Sequence, residues 1–202
     1  MGGILLFESK LRQQLSVVMF TITAMPNNLL VTGKSGIGKS TVLAKVAELL
    51  EPRVISGFLS PRNQDGLTAQ GWKIVGFSGV TGIVAHPDIE GHRRMGSLGV
   101  DMELFDRCVG SENGTLSESD LVIIDEIGIF SDWSDIFRNY VIRAMNADVP
   151  VVAIVRQKQG EFSDQIKRRT DVEIWTTTEQ NSDSMHGDIA NWIEGLDAFR
   201  GP

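Results

Sequence analysis

The sequence predicts an α/β fold in which a mostly parallel β-sheet has helices on both faces and contains an inserted antiparallel hairpin. Three observations support this fold class. From residue 121 onwards, short apolar runs alternate with segments whose apolar residues recur at helical spacing, which is typical of parallel strands joined by helices. Residues 71–86 form two strand-like runs around the tight turn Ser78-Gly79, which indicates a hairpin. A glycine-rich loop separates the apolar run 29–32 from an amphipathic helical pattern.

Apolar positions define each element in the first half of the predicted domain. The run 29–32 predicts a buried strand, and the sequence STVLAKVAELL at 40–50 predicts a helix because its apolar residues recur every three or four positions. The pattern then predicts a second strand over 53–60, a loop over 61–70, and hairpin strands over 71–78 and 80–86.

The second half begins with a short helix. Three apolar residues share one face of a helix predicted over 100–109, and Gly110 is expected to end it. A polar loop is predicted over 111–120, followed by a strongly apolar strand over 121–124. The remaining alternation predicts helices near 132–146, 161–169 and 185–196, and strands over 151–155 and 172–176.

Residues 1–28 precede the predicted domain, which covers residues 29–202. Apolar residues recur in this extension at steps of three and four with charged residues between them, which predicts a short amphipathic helix or a disordered extension. The apolar positions are too interrupted for a membrane span, and no basic region precedes them as in a signal peptide. A peripheral membrane anchor is an alternative role for this helix.

The composition is that of an acidic globular protein. The chain has 202 residues and a net charge of -7, which argues against a broad contact with the phosphate backbone of duplex nucleic acid. Its single cysteine, Cys108, excludes an internal disulfide and favours a reducing compartment, so a cytoplasmic location is expected. Cys108 itself is expected to be a small buried apolar residue. The three histidines show no metal-ligand spacing.

Residues 33–40 match the phosphate-binding pattern G-x-x-x-x-G-K-[ST] at every fixed position, directly after an apolar strand. A phosphate chain is held by several main-chain N–H groups that point inward. This arrangement requires glycines in left-handed conformations and gains from the positive end of the following helix. The sequence therefore predicts a nucleoside triphosphate site. Its expected nucleotide-binding residues are Gly33, Lys34, Ser35, Gly36, Ile37, Gly38, Lys39, Ser40 and Thr41.

Three consecutive residues at the end of this loop have distinct predicted roles. Lys39 places a positive charge on the β and γ phosphates, and the Ser40 hydroxyl holds a Mg²⁺ ion that bridges them. Thr41 is the expected contact of the α phosphate. The cofactor predicted from this pattern is therefore Mg²⁺.

A second set of functional residues follows the apolar strand at 121–124. Asp125 and Glu126 come directly after four apolar residues, and a buried parallel strand places such residues at the carboxyl edge of the sheet, where ligands bind in α/β folds. Asp125 is expected to face the metal, directly or through a water. Glu126 is expected to orient or deprotonate an attacking water. The adjacent acids also suggest that an additional strand lies between the strand at 121–124 and the strand at 29–32.

Other charged and aromatic residues can be explained either as ordinary surface and core residues or as functional residues. Arg93-Arg94 and Lys167–Arg169 are typical of a solvated surface, although one of these cations could stabilise charge on a transferring phosphoryl group. The four tryptophans are typical of core packing. Trp72 stands apart because it lies in the inserted hairpin.

With both sets of residues placed, the chain resembles the small P-loop nucleoside-triphosphatases of archaea and bacteria, which are related to the human cancer-related nucleoside-triphosphatase. The resemblance runs from about Leu29 to Ile193. Besides the phosphate loop, the matching segments are Gly57-Phe58, the turn Gly66 to Trp72, Arg94-Met95-Gly96, Asp125-Glu126-Ile127-Gly128 and residues 178–181, Thr-Glu-Gln-Asn.

This resemblance implies a P-loop NTPase fold and Mg²⁺-dependent hydrolysis of nucleoside triphosphates to the diphosphate and phosphate, with loose choice of base. It adds Arg94 to Lys39 and Glu126 as an expected catalytic residue, the positive contact of the terminal phosphate. The chain departs from the family pattern at four positions. Basic residues are common in the family where this chain has Gln64, Ala69 and Ser182, and a tyrosine is common where it has Leu98.

Two other functions remain open at this stage. A kinase for a nucleoside, nucleotide or other small hydroxyl compound would need a lid, for which Lys167–Arg169 is a candidate, and an acceptor pocket, for which the hairpin is a candidate. A non-enzymatic nucleotide switch would bind tightly without turnover. A guanine-specific switch is disfavoured because the sequence has no Asn-Lys-x-Asp base reader. The sequence identifies no protein partner.

Overall fold

The computed structural model describes residues 26–61 and 71–200, and of residues 197–200 only the helical backbone. The amphipathic helix predicted within residues 1–28 lies almost wholly outside the described residues. So does most of the loop predicted over 61–70.

The described residues form one nine-stranded mixed sheet in the order β5-β6-β4-β3-β2-β7-β8-β1-β9. Strands β2, β7, β8, β1 and β9 are parallel, and the others are antiparallel. The α/β fold class is therefore confirmed. The strands are β1 (Asn28–Thr32), β2 (Ile55–Leu59), β3 (Trp72–Gly76), β4 (Thr81–His86), β5 (Arg94–Met95), β6 (Leu98–Val100), β7 (Leu121–Ile127), β8 (Val151–Val155) and β9 (Val172–Thr176).

Helices cover both faces of the sheet. Because side chains alternate along a strand, Leu29 and Val31 of β1 contact one group of helices, whereas Leu30 contacts the other. Helices α1 and α5 pack on the first face, and α2, α3 and α4 pack on the second. None of the described helices is long and apolar enough to cross a bilayer. The helices are α1 (Lys39–Leu49), α2 (Met102–Thr115), α3 (Asp135–Met145), α4 (Glu161–Lys167) and α5 (Met185–Arg200).

The extra strand expected between the loop strand and the acidic strand is present. Strand β8 pairs in parallel with β1 on one side and with β7 on the other. The loop after β1 and the acids at the end of β7 are thus separated by one strand at the carboxyl edge of the sheet. This separation leaves room between them for a ligand.

The antiparallel insertion is larger than the predicted hairpin. Strands β3 and β4 form that hairpin, but β6 pairs with β4 and β5 pairs with β6, so the insertion is a four-stranded unit attached to β2. The two added strands contain only three and two residues. Segments this short show no measurable hydrophobic alternation, so the sequence did not reveal them.

The helix predicted to end at Gly110 continues to Thr115, and its N-terminal boundary also differs. Asp101 caps the helix by accepting a hydrogen bond from the Leu104 N–H at 2.9 Å, so Val100 belongs to β6 instead. One glycine costs a helix only about 1 kcal/mol, and here the packing of the following turn outweighs that penalty. The side chains that α2 buries on one face are Phe105, Cys108, Val109 and Glu112.

Cys108 is buried among these side chains, as expected for a structural cysteine. Burial raises the pKa of its thiol to about 12, and the nearby Glu112 charge adds to this effect. The thiol therefore stays protonated and unreactive in the folded protein.

Glu112 connects the insertion to the parallel sheet. Its carboxylate is fully buried and accepts hydrogen bonds from the main-chain N–H groups of Gly57 in β2 and Ser78 in the hairpin turn, each at 2.8 Å. The Ser78 hydroxyl donates to the same carboxylate. A carboxylate suits this position because it accepts hydrogen bonds on both oxygens and donates none.

We expect Glu112→Gln to lower the free energy of unfolding by about 2–3 kcal/mol, because the amide NH₂ group would face a buried N–H donor. Urea unfolding measures this change. Glu103→Gln is the matched control, since the Glu103 side chain is 93% exposed in the same helix. Equal stabilities of the two variants would contradict the proposed connection.

Candidate functional site

The glycine-rich loop joins β1 to α1 and has the backbone conformation that its glycines permit. Gly33, Gly36 and Gly38 all have positive φ angles, of 145°, 81° and 97°. A Cβ atom on Gly33 would also lie 2.6 Å from the carbonyl oxygen of Thr177, so only glycine fits there. The loop is therefore tightly packed at its start, beside the end of β9.

Helix α1 begins at Lys39 with Gly38 as its N-cap, and no side chain caps it. The first main-chain N–H groups of a helix have no partner within the helix. Here they open onto the loop, where their partial positive charge favours an anion.

The Lys39 side chain lies over the loop that precedes it. Its ammonium group donates to the carbonyl oxygens of Gly33 and Lys34, each at 2.9 Å. The positive charge is thus fixed at the point where the loop and the helix meet.

Asp125, near the end of β7, faces Ser40 of α1. Its carboxylate is 3% exposed, accepts a hydrogen bond from the Ser60 N–H at 3.1 Å and is also bonded by the Ser40 side chain. Burial raises the pKa of Asp125 to about 6, despite the opposing effects of these hydrogen bonds. The structure therefore brings together the two residues that were predicted to hold a metal.

The raised pKa gives a testable pH dependence of stability. In the metal-free protein the folded state keeps the Asp125 proton to higher pH than the unfolded state, so the free energy of unfolding should fall as pH rises from about 4 to about 6. Urea unfolding in EDTA measures this fall, and Asp125→Asn should reduce it. Identical profiles for the two proteins would contradict the burial effect.

Glu126, the next residue, is exposed to the cavity beside the loop. Its carboxylate lies so close to Gly128 that a Cβ atom there would be 2.5 Å from Oε1. Desolvation raises the pKa of Glu126, while the charges of Lys39 and Arg156 oppose the rise. Both cations therefore act on this carboxylate.

Arg156 is a site residue that was not predicted from the sequence. It directly follows β8, and its main-chain N–H donates to the Ile127 carbonyl at 3.2 Å, next to Glu126. Its guanidinium pairs with Asp132 at 3.0 Å and occupies the space above Gly160. The rule that identified Asp125, a polar residue at the carboxyl end of a central parallel strand, also applies to Arg156.

A cavity of about 810 Å³ lies between the loop and the insertion. One side consists of loop and helix residues, the floor includes both acids, and the far side comes from β2, β3 and residues 60–61. Trp72 of the hairpin is on this far side. The lining residues are Ser35, Gly36, Gly38, Lys39, Ser40, Thr41, Ala44, Leu59, Ser60, Pro61, Trp72, Lys73, Val75, Asp125 and Glu126.

Four predicted residues do not line this cavity. Gly33, Lys34 and Ile37 belong to the loop but lie outside the lining. Arg94 is exposed on β5, at the edge of the sheet opposite β9, and its guanidinium donates to the Ser97 carbonyl oxygen.

The basic run 167–169 is engaged elsewhere. Lys167 pairs with Asp164 at 3.3 Å, and Arg169 pairs with Asp171 at 2.7 Å.

The chain is similar to proteins of one known family. A family model described as NTPase matches residues 28–190. The chain is 32% identical over 167 residues to the nucleoside-triphosphatase THEP1 of Thermotoga maritima, which covers 82% of this chain and 95% of that protein. It is also 32% identical over 175 residues to the protein of the same name from Thermofilum pendens, covering 84% and 96% of the two chains.

Two solved structures share the fold. The crystal structure of THEP1 from the hyperthermophile Aquifex aeolicus matches with a TM-score of 0.74 and 25% identity, over 83% of this chain and 99% of that chain. The solution structure of a human cancer-related nucleoside triphosphatase matches with a TM-score of 0.70 and 23% identity, over 83% and 97%. The family model covers well over half of the sequence, and the chain therefore belongs to the NTPase family.

Proposed function

We propose that this protein hydrolyses nucleoside triphosphates to the diphosphate and phosphate, with Mg²⁺ as cofactor and a broad choice of base. One observation supports this proposal most strongly. A single cavity is lined by part of the loop, Lys39, the Ser40–Asp125 pair and Glu126. These are the groups that bind a triphosphate, hold a metal and activate water.

The chemistry of the Ser40–Asp125 pair fits Mg²⁺. Both residues offer hard oxygen donors, and Mg²⁺ is commonly held by one or two protein oxygens, with phosphate oxygens and waters completing its coordination. Within residues 26–61 and 71–200, no cluster of three or more His, Cys, Asp or Glu residues could form an all-protein metal site. When bound, Mg²⁺ would neutralise charge on the β and γ phosphates.

The residues of the chain divide the remaining work. Main-chain N–H groups of the loop and the Lys39 ammonium bind the phosphates, and Thr41 contacts the α phosphate. Glu126 accepts a proton from the attacking water at its carboxylate, and its raised pKa makes it a stronger base than an ordinary glutamate. Arg94 stays a prediction, since it does not line the cavity.

Phosphate release from ATP, GTP, CTP and UTP, with MgCl₂ or with EDTA, tests this proposal. We expect release from all four nucleotides with MgCl₂ and loss of release with EDTA. Release from one nucleotide alone would reject broad base choice. Equal release in EDTA would reject the metal requirement.

We further propose that residues 29–202 form the NTPase domain and residues 1–28 an extension of it. The single cysteine supports a cytoplasmic location.

A further inference from the structure

The guanidinium of Arg156 is held on two sides by hydrogen bonds, just outside the lining of the cavity. It makes a two-point ion pair with Asp132, with nitrogen–oxygen distances of 3.0 and 3.1 Å. Its Nε donates to the Ser163 hydroxyl at 3.3 Å. The side chain is 19% exposed. Because a two-point pair fixes the plane of a guanidinium as well as its charge, Arg156 has a defined position.

Arg156 connects both ends of the segment that follows Glu126. Its main-chain N–H donates to the carbonyl oxygen of Ile127, the next residue after Glu126. Its side chain pairs with Asp132, which ends the short 3₁₀ turn Ile129–Asp132 after Gly128. One residue at the end of β8 therefore holds residues 127 and 132 in place.

The position of the Glu126 carboxylate depends on this segment. The Glu126 side chain lies against Gly128, where a Cβ atom would be 2.5 Å from Oε1 and 3.1 Å from Cγ. Gly128 lies between the two points that Arg156 holds. The charge of Arg156 also acts on the Glu126 carboxylate, where it opposes the rise in pKa caused by burial. A shift of residues 127–132 would thus move the surface against which Glu126 packs.

We propose that Arg156 is a positioning residue for hydrolysis, which fixes residues 127–132 and so holds the Glu126 carboxylate where it meets the attacking water. This inference rests on the proposed role of Glu126 as general base. Arg156 is outside the cavity lining, so it acts through Glu126 and does not touch the nucleotide. Its loss should therefore lower kcat and leave KM nearly unchanged.

Gly160 allows the position of Arg156 to be tested without removing its charge. The guanidinium occupies the space in which a Cβ atom at residue 160 would lie. The φ angle of Gly160 is −172°, an extended conformation that alanine adopts without strain. Gly160→Ala should therefore displace the guanidinium, the end of a flexible side chain, and leave the fold intact.

The experiment measures kcat and KM for MgATP hydrolysis in Arg156→Ala and Gly160→Ala. We expect kcat to fall by about 10–10²-fold in each variant, the effect of a small misplacement of a catalytic group, with KM within about twofold of the wild-type value. Urea unfolding confirms that each variant is folded.

Arg169→Ala is the matched control. Arg169 also forms a two-point ion pair, with Asp171 at 2.7 and 2.9 Å, and its side chain is 24% exposed. It precedes β9, at the amino edge of the parallel strands, far from the carboxyl edge where Glu126 lies. Its removal should change kcat by less than about twofold.

Double variants show whether the effect passes through the proposed groups. In an Arg156→Ala background, Gly160→Ala should change kcat by less than about twofold, since no guanidinium remains to be displaced. In a Glu126→Gln background, Arg156→Ala should also add less than about twofold, measured by single-turnover phosphate release.

The outcomes distinguish this inference from the proposed function. Wild-type kcat in Arg156→Ala or Gly160→Ala, an equal loss in Arg169→Ala, or multiplied losses in Arg156→Ala with Glu126→Gln would each overturn the inference and leave hydrolysis intact. Wild-type hydrolysis by Glu126→Gln would instead reject Glu126 as the base, and the inference with it. Absence of hydrolysis in the folded wild-type protein would reject the proposed function itself.

Discussion

Lys39→Ala is expected to lower phosphate release from MgATP by about 10²–10³-fold, the usual effect of removing one fixed electrostatic contact to a developing charge. The ammonium group lies at the junction of loop and helix, held by the Gly33 and Lys34 carbonyl oxygens, and no other described lysine lines that side of the cavity. No other described lysine on that side can therefore replace its charge. Steady-state kinetics with a coupled phosphate assay measure both kcat and KM.

Lys45→Ala is the matched control for this prediction. Lys45 is in the same helix, but its side chain is exposed and outside the cavity lining. Its removal should change phosphate release by less than about twofold, as for ordinary surface substitutions. Loss of activity in both variants would point to damage to α1 rather than to a missing phosphate contact. Unchanged activity in Lys39→Ala would contradict the proposed site.

Glu126→Gln is expected to lower kcat for hydrolysis by about 10²–10⁴-fold, the usual contribution of a general base, with little change in KM. The amide retains the shape of the side chain and its place against Gly128 but cannot accept the proton of water. The loop and Lys39 are unaltered, so the nucleotide should still bind. Single-turnover phosphate release measures the chemical step directly.

The control for this second prediction is calorimetry with a non-hydrolysable triphosphate. Glu126→Gln should bind the analogue with the wild-type affinity, which would separate loss of chemistry from loss of binding. If the variant hydrolyses ATP at the wild-type rate, another group must activate the water. Arg94 cannot take that role, because a guanidinium does not lose its proton in proteins.

The parts of the site that the sequence revealed are those whose chemistry requires a fixed local spacing. Loop residues such as Lys39 are contiguous because one turn and one helix start must hold the phosphates. Asp125 was identifiable because a run of buried apolar residues leads directly to it. The family match supports the hydrolase expectation.

The parts that were missed depend on contacts between distant segments. Glu112 is polar and lies in a stretch of polar residues, so its sequence context predicted a loop; its burial depends on N–H groups of two other elements. Arg156 follows a buried strand, as Asp125 does, but its place beside Glu126 depends on the order of β7 and β8. No local pattern encodes either relationship.

The hydrogen bonds of the Lys39 ammonium have a consequence for the free energy of nucleotide binding. A lysine side chain loses up to about 2 kcal/mol of rotamer entropy when it is immobilised. Two carbonyl oxygens already hold the Lys39 side chain, so most of this entropy is lost when the protein folds. When a nucleotide binds, the ammonium group exchanges these neutral acceptors for charged phosphate oxygens. The same two carbonyl oxygens are available to the ammonium group again after product departs.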